Sequence, residues 1–353
     1  MIKHKIFITI AVKLKNFIFL YNKKKSQIFR YKLLFLKFKN ELFNKPQQYS
    51  YDIVFISPES GWILDGICKE IDRYFSGKTT FCYSIENLPS SRAYFFAHYS
   101  LFASAIFSNP QILISTNLIW YTHPRDIGLS NNELANVLNQ STKILATNSK
   151  NEDLLLSLGV QSKKVMTLLG GADESFFTPK PPRSDKVPCI GFCLGFRNHQ
   201  HYRERKNYDL IVNLITQIQN ANVLILGKNW HEYECFDKLA QLSYFRYVEV
   251  PYSQYPQYYH QMDVFVSASK LEGGPIPLIE AMMCNVFPVV SNTGFAPDII
   301  EHGQNGFLFD VESSPEYIYT LIEKAISMNV DVRKTVEHLS WKNFSLAIQK
   351  LLV

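Results

Sequence analysis

The sequence predicts an α/β protein with two Rossmann-like domains, each built on a parallel sheet. The chain has 353 residues, more than a single hydrophobic core usually fills, so two domains are expected. Residues 263–292 follow the order strand, loop, helix, strand, which is a βαβ unit. Residues 178–188, TPKPPRSDKVP, contain four prolines. Neither a helix nor a central strand tolerates that spacing, so this segment is predicted to connect the domains.

The βαβ unit predicts where a ligand binds. Its strands are Val264–Val266 and Val286–Val290, and an apolar helix from Pro277 to Met283 lies between them. Open parallel sheets bind ligands beside the carboxyl ends of their strands. The loop Lys270–Ile276 occupies that place, so we expect it to form the site.

Two features of this loop and helix suggest chemistry. Gly273 and Gly274 leave the backbone bare before a helix N-terminus, where free N–H groups and the helix dipole favour an anion such as a diphosphate. Glu272 and Glu280 have seven residues between them. An ionised carboxylate only accepts hydrogen bonds, so it suits the neighbouring hydroxyls of a ribose or hexose. An isolated pair of carboxylates is usually solvated, and only its surroundings make this pair informative.

Residues 272–309, EGGPIPLIEAMMCNVFPVVSNTGFAPDIIEHGQNGFLF, resemble the nucleotide-sugar site of glycosyltransferase family 4. Enzymes of that family have the GT-B fold, in which two Rossmann-like domains face each other across a cleft, and they transfer a sugar with retention of anomeric configuration. The resemblance implies that Glu280 holds the donor ribose and that Glu272 is catalytic, beside the sugar. It also implies that Gly273, Gly274 and Ile276 bind the donor.

Two positions depart from the family pattern. Pro275 stands where the family often has glycine, which removes one N–H donor to phosphate. Asn285 stands where glycine commonly ends the helix, and asparagine is the next most suitable residue for a left-handed conformation.

The resemblance divides the chain into an acceptor domain, residues 47–178, and a donor domain, residues 189–339, with the linker at 179–188. The final stretch, residues 340–353, is predicted to be a helix that crosses back to the first domain. Further predicted elements are the helix 63–75 and the strands 51–57, 111–115, 144–148, 165–169, 189–194, 223–226 and 247–251.

In family 4 a loop histidine of the acceptor domain lies beside the donor sugar, and His123 matches that place. A histidine that merely caps or packs within a loop is the alternative. His98 is a second candidate, but its aromatic neighbours favour a role in the core.

The family also clamps the donor diphosphate with an Arg or Lys after the first strand of the donor domain and a Lys further on. Lys206 matches the second position. Arg197 is the nearest match to the first, and Arg203 or Arg205 lies in the same loop. A basic loop is more often a solvated surface, but opposite a diphosphate-binding helix it suits a clamp.

No metal site is predicted, because His199 and His201 have no accompanying Cys or carboxylate cluster. The six cysteines show no Cys-x-x-Cys pairing and suit a reducing cytoplasm: Cys68, Cys82, Cys189, Cys193, Cys235 and Cys284.

The N-terminal segment, residues 1–46, is basic and amphipathic. Residues 1–45 contain twelve Lys or Arg and one acid, which gives them a net charge of +11. The whole chain has a net charge of +6, so the remaining residues carry −5. Lys13 and Lys15 interrupt the apolar run from Ile6 to Leu20, which is too short to span a membrane. We expect a helix on an anionic membrane surface. A nucleic-acid patch, a disordered tail and a helix packed on the protein are the alternatives.

We therefore predict a retaining glycosyltransferase of the hexosyltransferase type that uses a nucleotide sugar without a metal ion or cofactor. The acceptor is expected to be a glycan or a lipid-linked glycan in cell-surface assembly. The predicted location is the cytoplasm, peripheral to the membrane, with no nucleic-acid partner. A GT-B-shaped nucleotide-sugar-binding protein without turnover is the alternative, and a sugar phosphorylase or hydrolase is a third reading.

Overall fold

The computed structural model describes residues 31, 35, 48–61, 63–124, 127–181 and 187–352. The described chain forms two parallel sheets of six strands each. The first contains β1 (Tyr51–Ile56), β2 (Thr79–Cys82), β3 (Ser91–Phe96), β4 (Thr116–Tyr121), β5 (Lys143–Ala146) and β6 (Val165–Thr167), in the order β2-β1-β3-β4-β5-β6. The second contains β7 (Cys189–Cys193), β8 (Asn222–Leu226), β9 (Phe245–Val248), β10 (Val264–Ser267), β11 (Phe287–Ser291) and β12 (Phe307–Phe309), in the order β12-β11-β10-β7-β8-β9.

Helices connect these strands and cover the sheets. Those of the first half are α1 (Ile63–Asp72), α2 (Tyr99–Ser108), α3 (Asn131–Leu138) and α4 (Ser149–Ser157). Those of the second half are α5 (Gln200–Lys206), α6 (Tyr208–Gln217), α7 (Phe236–Ala240), α8 (Tyr255–Tyr259), α9 (Ile276–Met283), α10 (Ala296–Ile299), α11 (Pro315–Ile326) and α12 (Trp341–Lys350).

Burial on both faces explains the continuous apolar runs of the strands. Along β1, Ile53 and Phe55 join one hydrophobic core, whereas Val54 and Ile56 join another on the opposite face. Side chains alternate across a strand, so a strand covered on both sides needs apolar residues at every position. The predicted fold class is therefore confirmed.

Two predicted local structures are wrong. Residues 111–115 were expected to be a strand, but Pro110–Ile114 is a 3₁₀ helix and the strand is Thr116–Tyr121. A short buried apolar run has no period that separates the two conformations, and the proline at its start favours the helical turn. The segment with Arg197, Arg203 and Arg205 was expected to be a loop, but Arg203 and Arg205 lie in α5, and Asn207, just after this helix, is in a left-handed conformation (φ 56°).

The two ends of the chain differ in how much the structure describes. At the C-terminus, α12 packs on the first domain, where Phe344 contacts Phe95 and the Gln349 amide donates to the carbonyl of Tyr74. At the N-terminus, the predicted basic segment lies outside the described residues except for Tyr31 and Phe35, which are helical and exposed. Within the described part of the chain, no helix has the length and apolar character needed to cross a membrane.

Candidate functional site

The carboxyl-terminal edges of the two sheets meet. Thr122 and Asn148 follow β4 and β5 of the first sheet, and Gly273 lies in the loop after β10 of the second. The Asn148 amide donates to the Gly273 carbonyl at 2.7 Å. A Cβ on Gly273 would lie 2.4 Å from the carbonyl oxygen of Thr122, so only glycine permits this approach. The loop predicted to bind a ligand therefore lies at the boundary between the domains.

Lys206 and Glu272 form an ion pair at this boundary. Lys206 ends α5, and its ammonium donates to the Glu272 carboxylate, whose side chain is 10% exposed. Burial favours a raised pKa for Glu272, but the charges of Lys206 and Arg205 outweigh it and hold the pKa below the ordinary value. Glu272 is therefore ionised at neutral pH, and Lys206 brings positive charge to the loop.

The start of α9 differs from the prediction of free N–H groups. The N–H of Ile276 donates to the Gly274 carbonyl at 2.9 Å, and the N–H of Leu278 donates to Pro275 at 2.8 Å. Pro277, between them, has no N–H. These three helical positions therefore offer no amide to an anion, and that part of the prediction is wrong. The loop amides of Gly273 and Gly274 are the candidate donors that remain.

Ile276, which stays a predicted donor-binding residue, packs its side chain across the domain boundary. Its side chain is buried, and its Cδ1 atom would lie 2.5 Å from a Cβ placed on Gly170. Asn285, which closes the same helix, adopts the left-handed conformation expected of it, with φ 58°. Its side-chain oxygen accepts a hydrogen bond from the N–H of Val332 at 2.9 Å, which connects the end of α9 to the C-terminal segment.

Glu280 lies in a different environment. It is 3% exposed, and one carboxylate oxygen accepts a hydrogen bond from the hydroxyl of Tyr252, the other from that of Tyr259 at 2.7 Å. Burial raises the pKa of Glu280 to about 7, although both phenol hydroxyls act to lower it. The thiol of Cys193, at the end of β7, is partly exposed, and its pKa is raised to about 12 by burial and by Glu280, against a lowering by Lys206. Glu280 and Lys206 therefore act electrostatically on the same atom.

The two histidine candidates lie close together at the first sheet. His123 follows Thr122, is 7% exposed, and has its ring centroid 6.4 Å from that of His98. His98 caps α2 and stacks on Tyr99 with centroids 4.6 Å apart. His98 thus has the role in the core that its aromatic neighbours suggested. His123 lies next to the residue that approaches Gly273.

The basic residues around α5 point in different directions. Arg203 forms an ion pair with Glu234, away from Glu272. Arg197 and Arg205 both lie over the ring of Tyr202, at 5.0 and 4.9 Å from its centroid. Of the three arginines, Arg205 is the one whose charge lowers the pKa of Glu272. Within the described residues, no group of three or more His, Cys, Asp or Glu is arranged to hold a metal ion.

Several residues that contact the candidate site belong to no sequence motif. Tyr252, Tyr259 and Asn148 contact the predicted loop or helix from other elements, and Thr293 accepts the Glu272 N–H at 3.2 Å. The tyrosines do have a sequence signal. Residues 252–259, YSQYPQYY, contain four tyrosines directly after a predicted strand, which places phenol hydroxyls at the edge where ligands bind.

A comparison with known sequences matches the part of the chain that contains Lys206, Glu272 and Glu280. Residues 199–340 match the family model described as "Glycosyl transferases group 1". A protein of Klebsiella pneumoniae, described as "Uncharacterized 41.2 kDa protein in cps region", is 24% identical over 119 residues. That alignment covers 33% of this chain and 33% of the relative, so the similarity spans about a third of the relative's length.

Comparison with solved structures supports the fold of the whole described chain. The apo lipopolysaccharide outer core galactosyltransferase WaaB has a TM-score of 0.64 and 14% identity, and the match covers 84% of this chain and 99% of that one. Anabaena Alr3699/HepE in complex with UDP-glucose has a TM-score of 0.65 and 14% identity, with 86% and 98% covered. The two parallel sheets are therefore arranged as in GT-B structures.

Proposed function

We propose that the protein is a glycosyltransferase that moves a sugar from a nucleotide-sugar donor to a glycan acceptor. The observation that carries this proposal is the Lys206–Glu272 pair at the junction of the two sheets, with Glu280 on α9, the helix that follows the Glu272 loop. The family match over residues 199–340 covers these three residues and supports the same activity.

Charge development explains the proposed roles. Breaking the bond between the sugar and the diphosphate places negative charge on the leaving phosphate. Lys206, Arg205 and the amides of Gly273 and Gly274 would stabilise that charge, with Arg197 as a further donor. Because these groups supply the compensation themselves, we propose transfer without a metal ion. Activity that survives a chelator is the expected result, and its loss and recovery with a divalent cation would contradict this point.

The sugar would lie between the domains. Glu272 would bind its hydroxyls, His123 would approach from the first domain, and Glu280 would hold the ribose of the nucleotide. The close contact of Thr122 with Gly273 brings the two edges together and would keep water from hydrolysing the donor. Retention of configuration, as in family 4, completes the proposal. NMR of the initial product tests it, because an inverted anomeric centre would contradict the family 4 mechanism.

The acceptor we propose is a cell-surface glycan or glycolipid. The cps-region relative and the lipopolysaccharide galactosyltransferase support this choice. Contact with the cytoplasmic face of a membrane is part of the proposal. Tyr31 and Phe35 support it, since both are helical, are one turn apart, and are 70% and 65% exposed. Deletion of residues 1–40 is expected to abolish binding to anionic vesicles, and unchanged binding would contradict the membrane contact.

A panel of nucleotide sugars tests the central proposal. We expect one of them to raise the melting temperature of the wild-type protein and to be consumed only with a glycan acceptor. Glu280→Ala should abolish the stabilisation, whereas Glu337→Ala, at an exposed glutamate of the same domain, should not. Stabilisation by no nucleotide sugar would overturn the proposal. Donor breakdown with water or phosphate alone would indicate a hydrolase or phosphorylase instead.

A further inference from the structure

Each carboxylate oxygen of Glu280 already accepts one hydrogen bond, and the two donors differ in accessibility. Tyr259 lies in α8 and is 0% exposed. Tyr252 begins the short 3₁₀ turn before α8 and is 48% exposed, although its hydroxyl reaches the buried carboxylate. Tyr259 is therefore buried inside the domain, whereas Tyr252 is partly exposed at its surface.

The Tyr252 hydroxyl is chemically equivalent to what a ligand would present. A phenol and a sugar hydroxyl each donate one O–H to a carboxylate oxygen. A buried carboxylate oxygen without a donor is costly, so a donor from the protein stabilises the ligand-free site. Burial alone raises the pKa of Glu280, and the hydrogen bonds from the two tyrosines act against this. The tyrosines thus help to keep Glu280 ionised.

The surroundings of Tyr252 allow its hydroxyl to leave. Its ring contacts Phe176, Phe177 and Tyr255, with centroids 6.0, 5.9 and 5.1 Å away, and these contacts lie on the ring rather than on the hydroxyl. Rotation of the side chain toward solvent would release one oxygen of Glu280 without unpacking Tyr259. The exchange therefore gives up ring contacts of Tyr252, including that with the buried Phe177, but leaves the hydrogen bond from Tyr259 to Glu280 in place.

We infer that Tyr252 is a specificity-determining residue whose hydroxyl is exchanged on Glu280 for a ribose hydroxyl of the nucleotide. This inference rests on the proposed function. In this exchange the nucleotide gives up the Tyr252–Glu280 hydrogen bond when it forms its own, so only the difference between the two bonds contributes to affinity. A nucleotide that lacks the ribose hydroxyl leaves the Tyr252 bond in place. The wild-type site therefore discriminates weakly between ribose and deoxyribose.

Removing only the Tyr252 hydroxyl should raise the affinity for ribonucleotides and increase the discrimination against deoxyribonucleotides. In Tyr252→Phe the ring contacts remain, but one oxygen of Glu280 has no donor until a ligand arrives. Ribonucleotides then gain the full hydrogen bond, and deoxyribonucleotides leave a buried oxygen unsatisfied. Tyr259→Phe removes a hydroxyl from the same carboxylate at a position that is 0% exposed, so a ligand does not replace it and affinity should not rise.

Isothermal titration with UDP, 2′-deoxy-UDP and 3′-deoxy-UDP tests the inference. We expect Tyr252→Phe to bind UDP about tenfold more tightly than wild type, and the deoxy-to-ribo Kd ratio to rise about tenfold for one of the two deoxy analogues. Tyr259→Phe should show neither gain. Tyr244→Phe is the control, because the Tyr244 hydroxyl donates to the Ile215 carbonyl at 3.2 Å, within another part of the domain.

The outcomes separate the inference from the proposed function. If wild type binds UDP and Glu280→Ala does not, but Tyr252→Phe shows neither the tighter binding nor the larger ratio, the inference is overturned and the proposed function stands. If wild type binds none of the nucleoside diphosphates of the donor panel, both are overturned. Thermal unfolding checks that each variant is folded, and Tyr252→Leu removes the same hydroxyl if the Phe variant does not fold.

Discussion

Glu272 and Glu280 belong to one loop–helix unit, yet their surroundings are opposite. Glu272 faces the cations Lys206 and Arg205, which hold its pKa low. Glu280 faces two neutral phenol hydroxyls in a buried place, and its pKa rises to about 7. The difference suits the roles that we propose for two identical side chains at two ends of one ligand. A fixed ion pair suits the region where a diphosphate would leave, whereas an exchangeable hydroxyl donor suits a ribose.

Breaking the ion pair is expected to have the largest effect. Lys206→Ala removes the cation that we propose stabilises the leaving group and leaves Glu272 buried without its ion-pair partner. The rate of sugar transfer should fall about 10²- to 10³-fold, as it does when a preorganised charge-stabilising group is lost. The Kd for the nucleotide should change much less. Lys334→Ala, whose exposed lysine pairs with Asp331, is the control in steady-state kinetics. An unchanged rate would contradict the leaving-group role.

Changing the second carboxylate should act on binding instead. Glu280→Gln should weaken nucleotide binding by up to about tenfold, less than the usual loss for a hydrogen bond to a charged group, because the ribose hydroxyl only replaces the hydrogen bond from Tyr252. In wild type, affinity should fall as the pH drops through about 7, because Glu280 takes up a proton and ceases to be a pure acceptor. The variant should lack that dependence. Titration calorimetry at pH 6 and 8 measures both, and equal pH profiles would argue against Glu280 as the ribose ligand.

Protein stability should depend on pH in opposite directions for the two residues. The raised pKa of Glu280 means that the folded state keeps a proton between its ordinary pKa of 4.5 and about 7, where the unfolded chain has released it. This residue therefore lowers the free energy of unfolding as the pH rises through that window, by an amount on the order of 3 kcal/mol. The lowered pKa of Glu272 adds stability that is lost as the pH falls below its ordinary value.

Denaturant unfolding of wild type and Glu280→Gln at pH 5 and pH 8 sharpens this contrast. The free energy of unfolding of Glu280→Gln, taken relative to that of wild type, should be higher at pH 8 than at pH 5. The reason is that glutamine has no proton to lose. Glu272→Gln should lose stability relative to wild type at pH 8. If both variants shift in the same direction, the two carboxylates do not have the opposite environments described above.

The smallest expected effect concerns the neighbouring arginines. Arg205→Ala should slow transfer several-fold, because its charge reaches Glu272, although it forms no direct ion pair there. Arg203→Ala should leave the rate within about twofold, since a surface ion pair such as that of Arg203 with Glu234 contributes little. The two variants control for each other in steady-state assays. A larger loss of rate for Arg203→Ala than for Arg205→Ala would mean that Arg203, and not Arg205, belongs to the diphosphate clamp.

Apolar periodicity and turn residues were enough to predict most strands and the βαβ unit, because burial on both faces requires continuous apolar runs. They failed at Pro110–Ile114, where a buried 3₁₀ turn has the same composition as a strand. Asn285 was predictable, because few residues accept a left-handed helix end. The loop–helix unit with Glu272 and Glu280 was recognisable for a similar reason: its residues are close in sequence.

The sequence by itself identified two carboxylates, two glycines and Lys206 as candidates for one site, since chain connectivity and local conformation bring their elements to one sheet edge. Only the tertiary structure decided which charges meet. The pairing of Lys206 with Glu272, the approach of Thr122 to Gly273 and the hydrogen bond from Tyr252 to Glu280 join residues far apart in sequence. Burial and neighbouring charge set a pKa, and both depend on how separate elements pack in space.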